Sequence, residues 1–435
     1  MVAARAAALR ALVQLDRGRS ERLRGALEAA RLEGRELAFA WELAHGVLRR
    51  ERLLDFVLQA LAHRGLPRDP ALRAALRLGA QQLLFTPGMP VHAAVHETVA
   101  LVRQNRGFAN ALLRAIAGRI EPRPAAPDAV TTELALAPER TFVLPQPLPD
   151  DEVARLALVH SLPDDAARRW AAEHGIDGLR RIAAAASALP ETFLRPIAPL
   201  TRDALQAELA AAGVVTEPAA HPRLLRWTGG EPPFATAPFV RGACLVQDPT
   251  ALAAAEAVPC GPGAVVIDLC AAPGTKTALL AERVRPGGRV VAYDRDARRR
   301  ERIADNVRRL SLDDVVEVAT DPAALPLADP VLADVPCSNT GVLGRRVEVR
   351  RRLEPDTPAQ MAALQRELLA RALDLTRPGG VVVYSTCSIE RTENDAVVAA
   401  VLAARGGGWR LRESRLTLPE AGRHDGGSFA VLARQ

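Results

Sequence analysis

The sequence predicts a multidomain protein with an all-α N-terminal domain, a small α+β subdomain and a C-terminal α/β domain built on a Rossmann-like, doubly wound sheet. Three observations carry this expectation. Apolar residues recur at helical spacing from Ala3 to about Arg119, a proline-rich stretch then breaks the pattern, and after Gly242 short β-branched runs alternate with helical segments. A chain of 435 residues is too long for one ordinary core and long enough for two or three.

The helical signal is local and repeated. Leu9, Leu12 and Val13 stand at i, i+3, i+4, as do Leu43, Ala44, Val47 and Leu48, and Leu72, Leu76, Leu83 and Leu84 continue the pattern. Gly65-Leu66-Pro67 and Thr86-Pro87-Gly88 punctuate it as turns. This predicts a helical domain over 1–125. Seven prolines between Pro122 and Pro149 predict an extended, exposed linker over 126–150. Helix from Asp151 to about Pro190, then strands at Glu191 to Ile197 and Leu224 to Trp227 around a helix near Arg202 to Ala212, predict the α+β subdomain over 151–240. The α/β domain, 241–435, is expected to place strands at 265–269, 289–294, 315–319, 331–335 and 381–386, in a mainly parallel sheet. Ligands of such sheets lie at the carboxyl ends of the strands, where strand order switches.

Composition narrows the function classes. With 49% hydrophobic and 25% charged residues the chain is globular rather than disordered. No apolar run approaches a membrane span, and the N-terminal MVAARAAALRALVQLDRGRS, broken by arginines, reads as an amphipathic helix, so a cytoplasmic protein with no membrane partner is expected. Five cysteines without Cys-x-x-Cys pairs or a histidine cluster argue against disulfides and structural zinc, and leave a reactive thiol open. Residues 1 to 123 carry 20 Arg against 11 acidic residues, a net of +9 in a chain whose total is +6, which fits either a polyanionic partner or a solvated helical surface. Lys276 is the sole lysine among 57 basic residues, which points to a position where a compact ammonium fits and a planar guanidinium does not.

The chemistry-bearing residues sit at predicted strand ends. Asp268-Leu269-Cys270-Ala271-Ala272-Pro273-Gly274-Thr275-Lys276-Thr277 runs from a strand through small residues into a helix, a form that aims backbone N–H groups at a ligand, yet its glycine spacing is neither the dinucleotide fingerprint nor a Walker loop. Asp294 ends the next strand. Such an aspartate alone is more often a helix cap than a ligand contact, but the preceding loop reverses that preference toward ribose hydroxyls. Asp334-Val335-Pro336-Cys337-Ser338 and Ser385-Thr386-Cys387-Ser388 each bring a thiol to a strand end among hydroxyl residues. A cysteine is ordinarily a small buried hydrophobe; two in this paired setting are harder to read so, whereas Cys244, Cys260 and Cys270 read as packing residues.

DLCAAPGTKT, DVPCSNTGVLGRR and STCSIERTEND, in that order and separation, resemble the three motifs of the RNA 5-methylcytosine methyltransferases, specifically the 16S ribosomal RNA methyltransferase B (Sun/Fmu) family. LGAQQLLF, HAAVHETVALV and GFANALLR are similar to the NusB-like RNA-binding domain of that subfamily, so the resemblance covers nearly the whole chain. It implies a C-terminal S-adenosylmethionine (SAM)-dependent methyltransferase domain. In it Cys270, Ala271, Ala272, Pro273, Gly274, Thr275 and Lys276 cradle SAM, Asp294 holds its ribose, Asp321 lies near its adenine and Asp334 borders both cofactor and cytosine. It further implies Cys387 as nucleophile, Cys337 as the residue assisting product release, Asp334 in cytosine activation and Lys276 as electrostatic support, with no metal. The implied partner is 16S rRNA, naked or in an early assembly intermediate, engaged by a monomer.

Three departures from the family pattern stand out. Thr275 replaces a usual second glycine, Arg345-Arg346-Val347-Glu348 stands where His-Pro-Asp is frequent, and Leu194-Arg195-Pro196-Ile197 replaces a common Leu-Arg-Val-Asn. The last two bear on target contacts more than on chemistry. The rival readings are a tRNA or other rRNA cytosine methyltransferase, a DNA cytosine methyltransferase using the Pro-Cys thiol instead of Cys387, and an RNA-binding antitermination factor with a vestigial sheet domain.

Overall fold

The computed structural model describes residues 2–18, 23–62, 65–126 and 128–435; Met1, Arg19 and Ser20 of the N-terminal stretch and Pro127 of the expected linker lie outside them. The chain forms two compact units, Met1–Ser187 with Arg346–Leu353, and Ala188–Arg345 with Glu354–Gln435.

The first unit opens with seven helices, α1 (Val2–Asp16), α2 (Leu23–Glu28), α3 (Gly34–Arg49), α4 (Glu51–Leu61), α5 (Pro70–Phe85), α6 (Val91–Leu101) and α7 (Arg106–Ala117). Helix α5 starts where Asp69 accepts hydrogen bonds from the Ala71 and Leu72 amides, with Pro70 at the first helical position, and it is buried on nearly every side. Its buried Gln82 accepts from Arg5 and donates to Thr98, so the polar group is satisfied inside the core. The predicted apolar positions of α3 and α5 are buried; α1 instead buries chiefly Ala4, Ala7, Ala8, Ala11 and Leu12, a small-residue face.

The stretch expected to be an exposed linker is folded. Strands β1 (Ile120–Glu121), β2 (Glu133–Ala137) and β3 (Arg140–Val143) form an antiparallel sheet in the order β1-β3-β2, and Phe142, Leu144 and Leu148 join the helical core. Among the described residues the prolines flank these strands or, as Pro138, occupy the hairpin turn, so none of them removes a ladder hydrogen bond. Helices α8 (Glu152–Val159) and α9 (Asp164–Ser187), expected in the α+β subdomain, belong to this first unit, where Arg52 donates to Asp164 and its amide to Ser161.

A 3₁₀ segment from far along the chain, Val347–Arg351, completes the unit. Buried Arg350 donates to the carbonyls of Arg49 (2.6 Å) and Ala186 (2.9 Å). Arg351 donates to Glu51 (2.7 Å) and to Asp16, while Arg77 pairs with Glu51 and Asp55, both at 2.6 Å. The arginines that the sequence sets beside a family target-contact segment are therefore engaged in folding.

The second unit begins with β4 (Thr192–Pro196), α10 (Arg202–Ala211), β5 (Val214–Pro218), β6 (Leu225–Gly230), α11 (Ala237–Val240) and β7 (Cys244–Val246); the sheet is antiparallel in the order β5-β6-β4-β7. Arg195, in the third departure from the family pattern, is buried and donates to Gln247 (2.8 Å) and Glu282 (2.6 Å). There follow α12 (Pro249–Glu256), β8 (Val265–Asp268), α13 (Thr275–Val284), β9 (Arg289–Ala292), α14 (Ala297–Arg309), β10 (Val316–Val318), β11 (Val331–Asp334), α15 (Thr357–Asp374), β12 (Val381–Thr386), α16 (Asp395–Arg405), β13 (Trp409–Thr417) and β14 (Gly427–Arg434). All five predicted strands form the parallel part of a seven-stranded sheet in the order β10-β9-β8-β11-β12-β14-β13. The antiparallel β14 and β13 were not foreseen: β13 is an edge strand, exposed and rich in arginine, without the alternation that marks a half-buried strand.

Two outcomes follow for the first unit. Arg351→Ala leaves Asp16 and Glu51 short of a cation and is expected to cost about 3 kcal/mol in urea unfolding. Burial, then Arg350 and Arg50, push the His160 pKa down to about 4. The unfolded chain takes up that proton near the ordinary value of about 6.5, so stability is lost as pH falls from there toward 4, on the order of 3 kcal/mol. His160→Gln should flatten that part of the pH–stability profile; an unchanged profile would exclude His160 as its source.

Candidate active site

Strand β8 lies between β9 and β11, so the carboxyl ends of β8 and β11 flank the point where strand order reverses. Asp268 closes β8, fully buried. Its Oδ2 accepts the Thr277 hydroxyl (2.7 Å), and burial, only partly offset by that bond, pushes its pKa up to about 7. The chain then turns tightly, Gly274 N–H donating to Ala271 O, and enters α13. Gly274 has φ +100°, a conformation that requires glycine, whereas Thr275 is the first residue of α13. The threonine that departs from the family pattern thus stands where a side chain is unstrained.

Cys270 and Ala271 are buried in the loop, and burial followed by the neighbouring aspartates raises the Cys270 thiol, which suits packing rather than nucleophilic attack. The Ala271 amide donates to Tyr293 O and the Tyr293 amide to Asp268 O, which ties the loop to the end of β9. There Asp294 is 1% exposed, its Oδ1 accepting the Asp296 amide. Its Oδ2 is buried without a hydrogen bond, although the Arg299 guanidinium stands 3.2 Å away. A buried, unfilled acceptor beside a glycine turn and a helix N-terminus fits the ribose diol of SAM. Asp321 is exposed and caps the 3₁₀ turn Pro322–Ala324 through the Ala323 amide, so its observed work is local.

Asp334 ends β11. One carboxylate oxygen accepts the Ser385 hydroxyl and the other meets Lys276 Nζ, both at 2.6 Å. Burial by itself would lower the Lys276 pKa, but the charge and hydrogen bond of Asp334 outweigh it and the net shift is upward, so the sole lysine is held as a cation.

Cys337 and Cys387 emerge from β11 and β12 with their Sγ atoms 3.1 Å apart. Asn339, at φ +63°, donates to Cys337 O (2.7 Å) and faces Cys387 Sγ with its Oδ1 at 3.4 Å. The two loops touch through Gly341, whose amide donates to Cys387 O; a Cβ there would lie 2.5 Å from Gly426 O, so glycine is required for this approach. Cys337 is 9% exposed, and its pKa is raised well above the usual thiol value by the hydrogen bond with Cys387, by burial, and by the charges of Cys387 and Glu393. Cys387 instead lines a narrow cleft of about 110 Å³ together with Lys276, Asp334, Asp248, Asp425 and Phe429.

The structure thus gathers Lys276, Asp334, Cys337 and Cys387 at one sheet edge, with the 270–276 loop and Asp294 beside them, and leaves Asp321 exposed. Sequence reasoning did not assign Asn339, Glu393 or the acidic wall. In that wall Asp425 accepts from Arg345 (2.7 Å) and its amide donates to Asp248 (3.0 Å); burial, then the charge of Asp248, pushes the Asp425 pKa up to about 6. Asn339 and Glu393 stand inside the recognised motifs, but Asp248 and Asp425 carry no local signal.

Comparison with known proteins identifies the family. The family described as "16S rRNA methyltransferase RsmB/F" matches residues 258–424, and the NusB family matches residues 2–118. The chain is 36% identical over 393 residues to a putative methyltransferase of Mycobacterium tuberculosis, covering 85% of this chain and 79% of that one. It is 34% identical over 406 residues to the ribosomal RNA small subunit methyltransferase B of Thermus thermophilus, covering 92% and 87%. The solved structure titled "Crystal Structure of PH0851" shares the fold, with a TM-score of 0.76 and 24% identity over 98% of both chains.

If Asp294 Oδ2 is the ribose acceptor, Asp294→Ala weakens SAM binding about tenfold or more by calorimetry, the loss of a charge-assisted bond to a buried group. Asp321→Ala, at an exposed cap, should cost less; the reverse ranking would overturn the assignment.

Proposed function

Given that this chain belongs to the ribosomal RNA small subunit methyltransferase B family, and is a methyltransferase of that kind, we propose that it methylates carbon 5 of a cytidine in 16S rRNA through a covalent bond between Cys387 and the base. The observation that carries the reading is the thiol pair, 3.1 Å apart, of which Cys387 lines the cleft shared with the Lys276–Asp334 pair.

Carbon 5 of cytosine is a weak nucleophile and needs activation. Attack of the Cys387 thiolate on carbon 6 converts the ring into an enamine, whose carbon 5 is the reactive atom. SAM, when bound at residues 270–276 and Asp294, supplies the electrophilic methyl group that this carbon accepts. Asp334, oriented by Ser385 and Lys276, accepts a hydrogen bond from the base and stabilises the adduct; Lys276 supports the negative charge of thiolate and carboxylate. Forming the Sγ–C6 bond removes the Cys387 hydrogen bond and charge that hold the proton on Cys337. Cys337 is then able to give up its own proton to solvent and, as the thiolate, take the carbon 5 proton; the electron pair of the broken C5–H bond restores the ring double bond and expels Cys387 as a thiolate.

The base must leave its stack to present both faces, so an unpaired or flipped cytidine is the target, in naked rRNA or an early assembly intermediate. With 3% aromatic residues, arginine planes and phosphate contacts carry affinity, and the NusB-like half supplies the latter. We assign the protein to the cytoplasm, as a monomer without a catalytic metal.

The test is methyl transfer from labelled SAM to deproteinised 16S rRNA by wild type, Cys387→Ala and Cys337→Ala, with a denaturing gel for trapped RNA. The wild type should label one cytidine, Cys387→Ala should be inactive without an adduct, and Cys337→Ala should accumulate one. Activity in Cys387→Ala would refute the mechanism, and preference for tRNA or DNA would refute the substrate.

A further inference from the structure

Between the two thiol loops lies a side chain that the mechanism above does not use. Glu393 is fully buried in the turn that precedes α16. Its Oε2 accepts the Ser338 amide (2.9 Å) and the Gln365 side-chain amide (2.8 Å); its Oε1 accepts the Ser388 hydroxyl (2.8 Å) and the Ser338 hydroxyl. Gln365, on α15, also donates to Pro336 O (2.9 Å), and the Tyr384 hydroxyl fixes the Glu393 carbonyl (2.6 Å). One carboxylate therefore ties the residue after Cys337 to the residue after Cys387 and, through Gln365, to the residue before Cys337.

Such a group is costly to bury as a charge, and burial does push its pKa up. Four donors converge on two oxygens, which is the coordination of a carboxylate rather than of an acid. A purely packing role would be filled by an apolar side chain without that desolvation cost.

We infer, on the basis of the release role given to Cys337 above, that Glu393 is the positioning residue that sets Cys337 against Cys387 and keeps it basic enough to take the carbon 5 proton. The clamp fixes the spacing of the loops. Its negative charge lies among the influences that raise Cys337. Once adduct formation has let Cys337 lose its own proton, the thiolate beside this buried charge is the stronger base toward carbon 5, so the same carboxylate serves geometry and basicity.

The two contributions separate by substitution. In Glu393→Gln the Ser338 and Ser388 hydroxyls can turn to accept from the new amide, so the clamp persists while the charge is lost. Ser388→Ala removes one of the four bonds and keeps the charge. The measurement is the RNA-linked band on a denaturing gel, with single-turnover methylation compared with steady-state turnover, and SAM affinity as the control for a folded site. Glu393→Gln is expected to methylate once at near wild-type rate, to turn over roughly tenfold or more slowly, and to trap RNA with Cys337 still present. Ser388→Ala should trap a smaller fraction. The double variant Glu393→Gln/Cys337→Ala should trap no more than Cys337→Ala, because the glutamate acts through that thiol. Trapping by Cys337→Ala with free release by Glu393→Gln, at intact SAM affinity, overturns this inference alone. Free release by Cys337→Ala overturns the reading of Cys337 and this inference with it.

Discussion

The parallel pairing of β11 between β8 and β12 is the constraint on which the site depends. Leu332 is in register with Asp268 and Asp334 with Ser385, and the pairing runs past the strands as the Leu269 amide donates to Leu332 O and the Val335 amide to Ser385 O. This register sets the Ser385–Asp334 hydrogen bond, brings Lys276 to Asp334 and lets the two thiol loops leave the sheet side by side. A slip of one residue would turn Asp334 to the other face, because side chains alternate along a strand. The site is thus a property of three strand ends, and the apolar faces of the sheet hold it in place.

Within that frame the site separates charge by burial. Asp268 and Glu393 are enclosed and shifted upward, and each accepts hydroxyl hydrogen bonds from neighbours in its own loop or an adjoining one. Lys276 and Asp334 pair at the edge of the cleft, and Cys387 faces it while Cys337 is held protonated. Buried groups fix the loops, and the groups at the cleft retain the freedom to react. The acidic wall of Asp248 and Asp425 follows the same rule, because Arg345 satisfies it from the loop that carries Cys337.

Arginine does structural work throughout this chain. Arg350 and Arg351 complete the first unit, Arg195 locks the small sheet to α13, and Arg345 braces the cleft wall. The planar fork reaches two carbonyls or two carboxylates at once, which suits it to crossing between elements. The one place where the chain keeps lysine is the one where a compact cation sits between a helix N-terminus and a strand end, against a single carboxylate.

The sequence by itself determined the helical N-terminal half, the five parallel strands and the motif residues at their ends, because helical spacing, β-branched runs and glycine turns are local signals. It also singled out Lys276, which the fold pairs with Asp334. It misread 126–150, where prolines that bracket strands look like prolines that prevent them, and it missed β13, an exposed edge strand, and β14, which lies buried between β12 and β13. Only the tertiary structure decided that Cys337 and Cys387 meet, that Arg350 and Arg351 belong to the first unit, and that Glu393 joins Ser338 and Gln365, 55 and 28 residues away. Such contacts are set by strand register and helix packing, and no short window of sequence carries them.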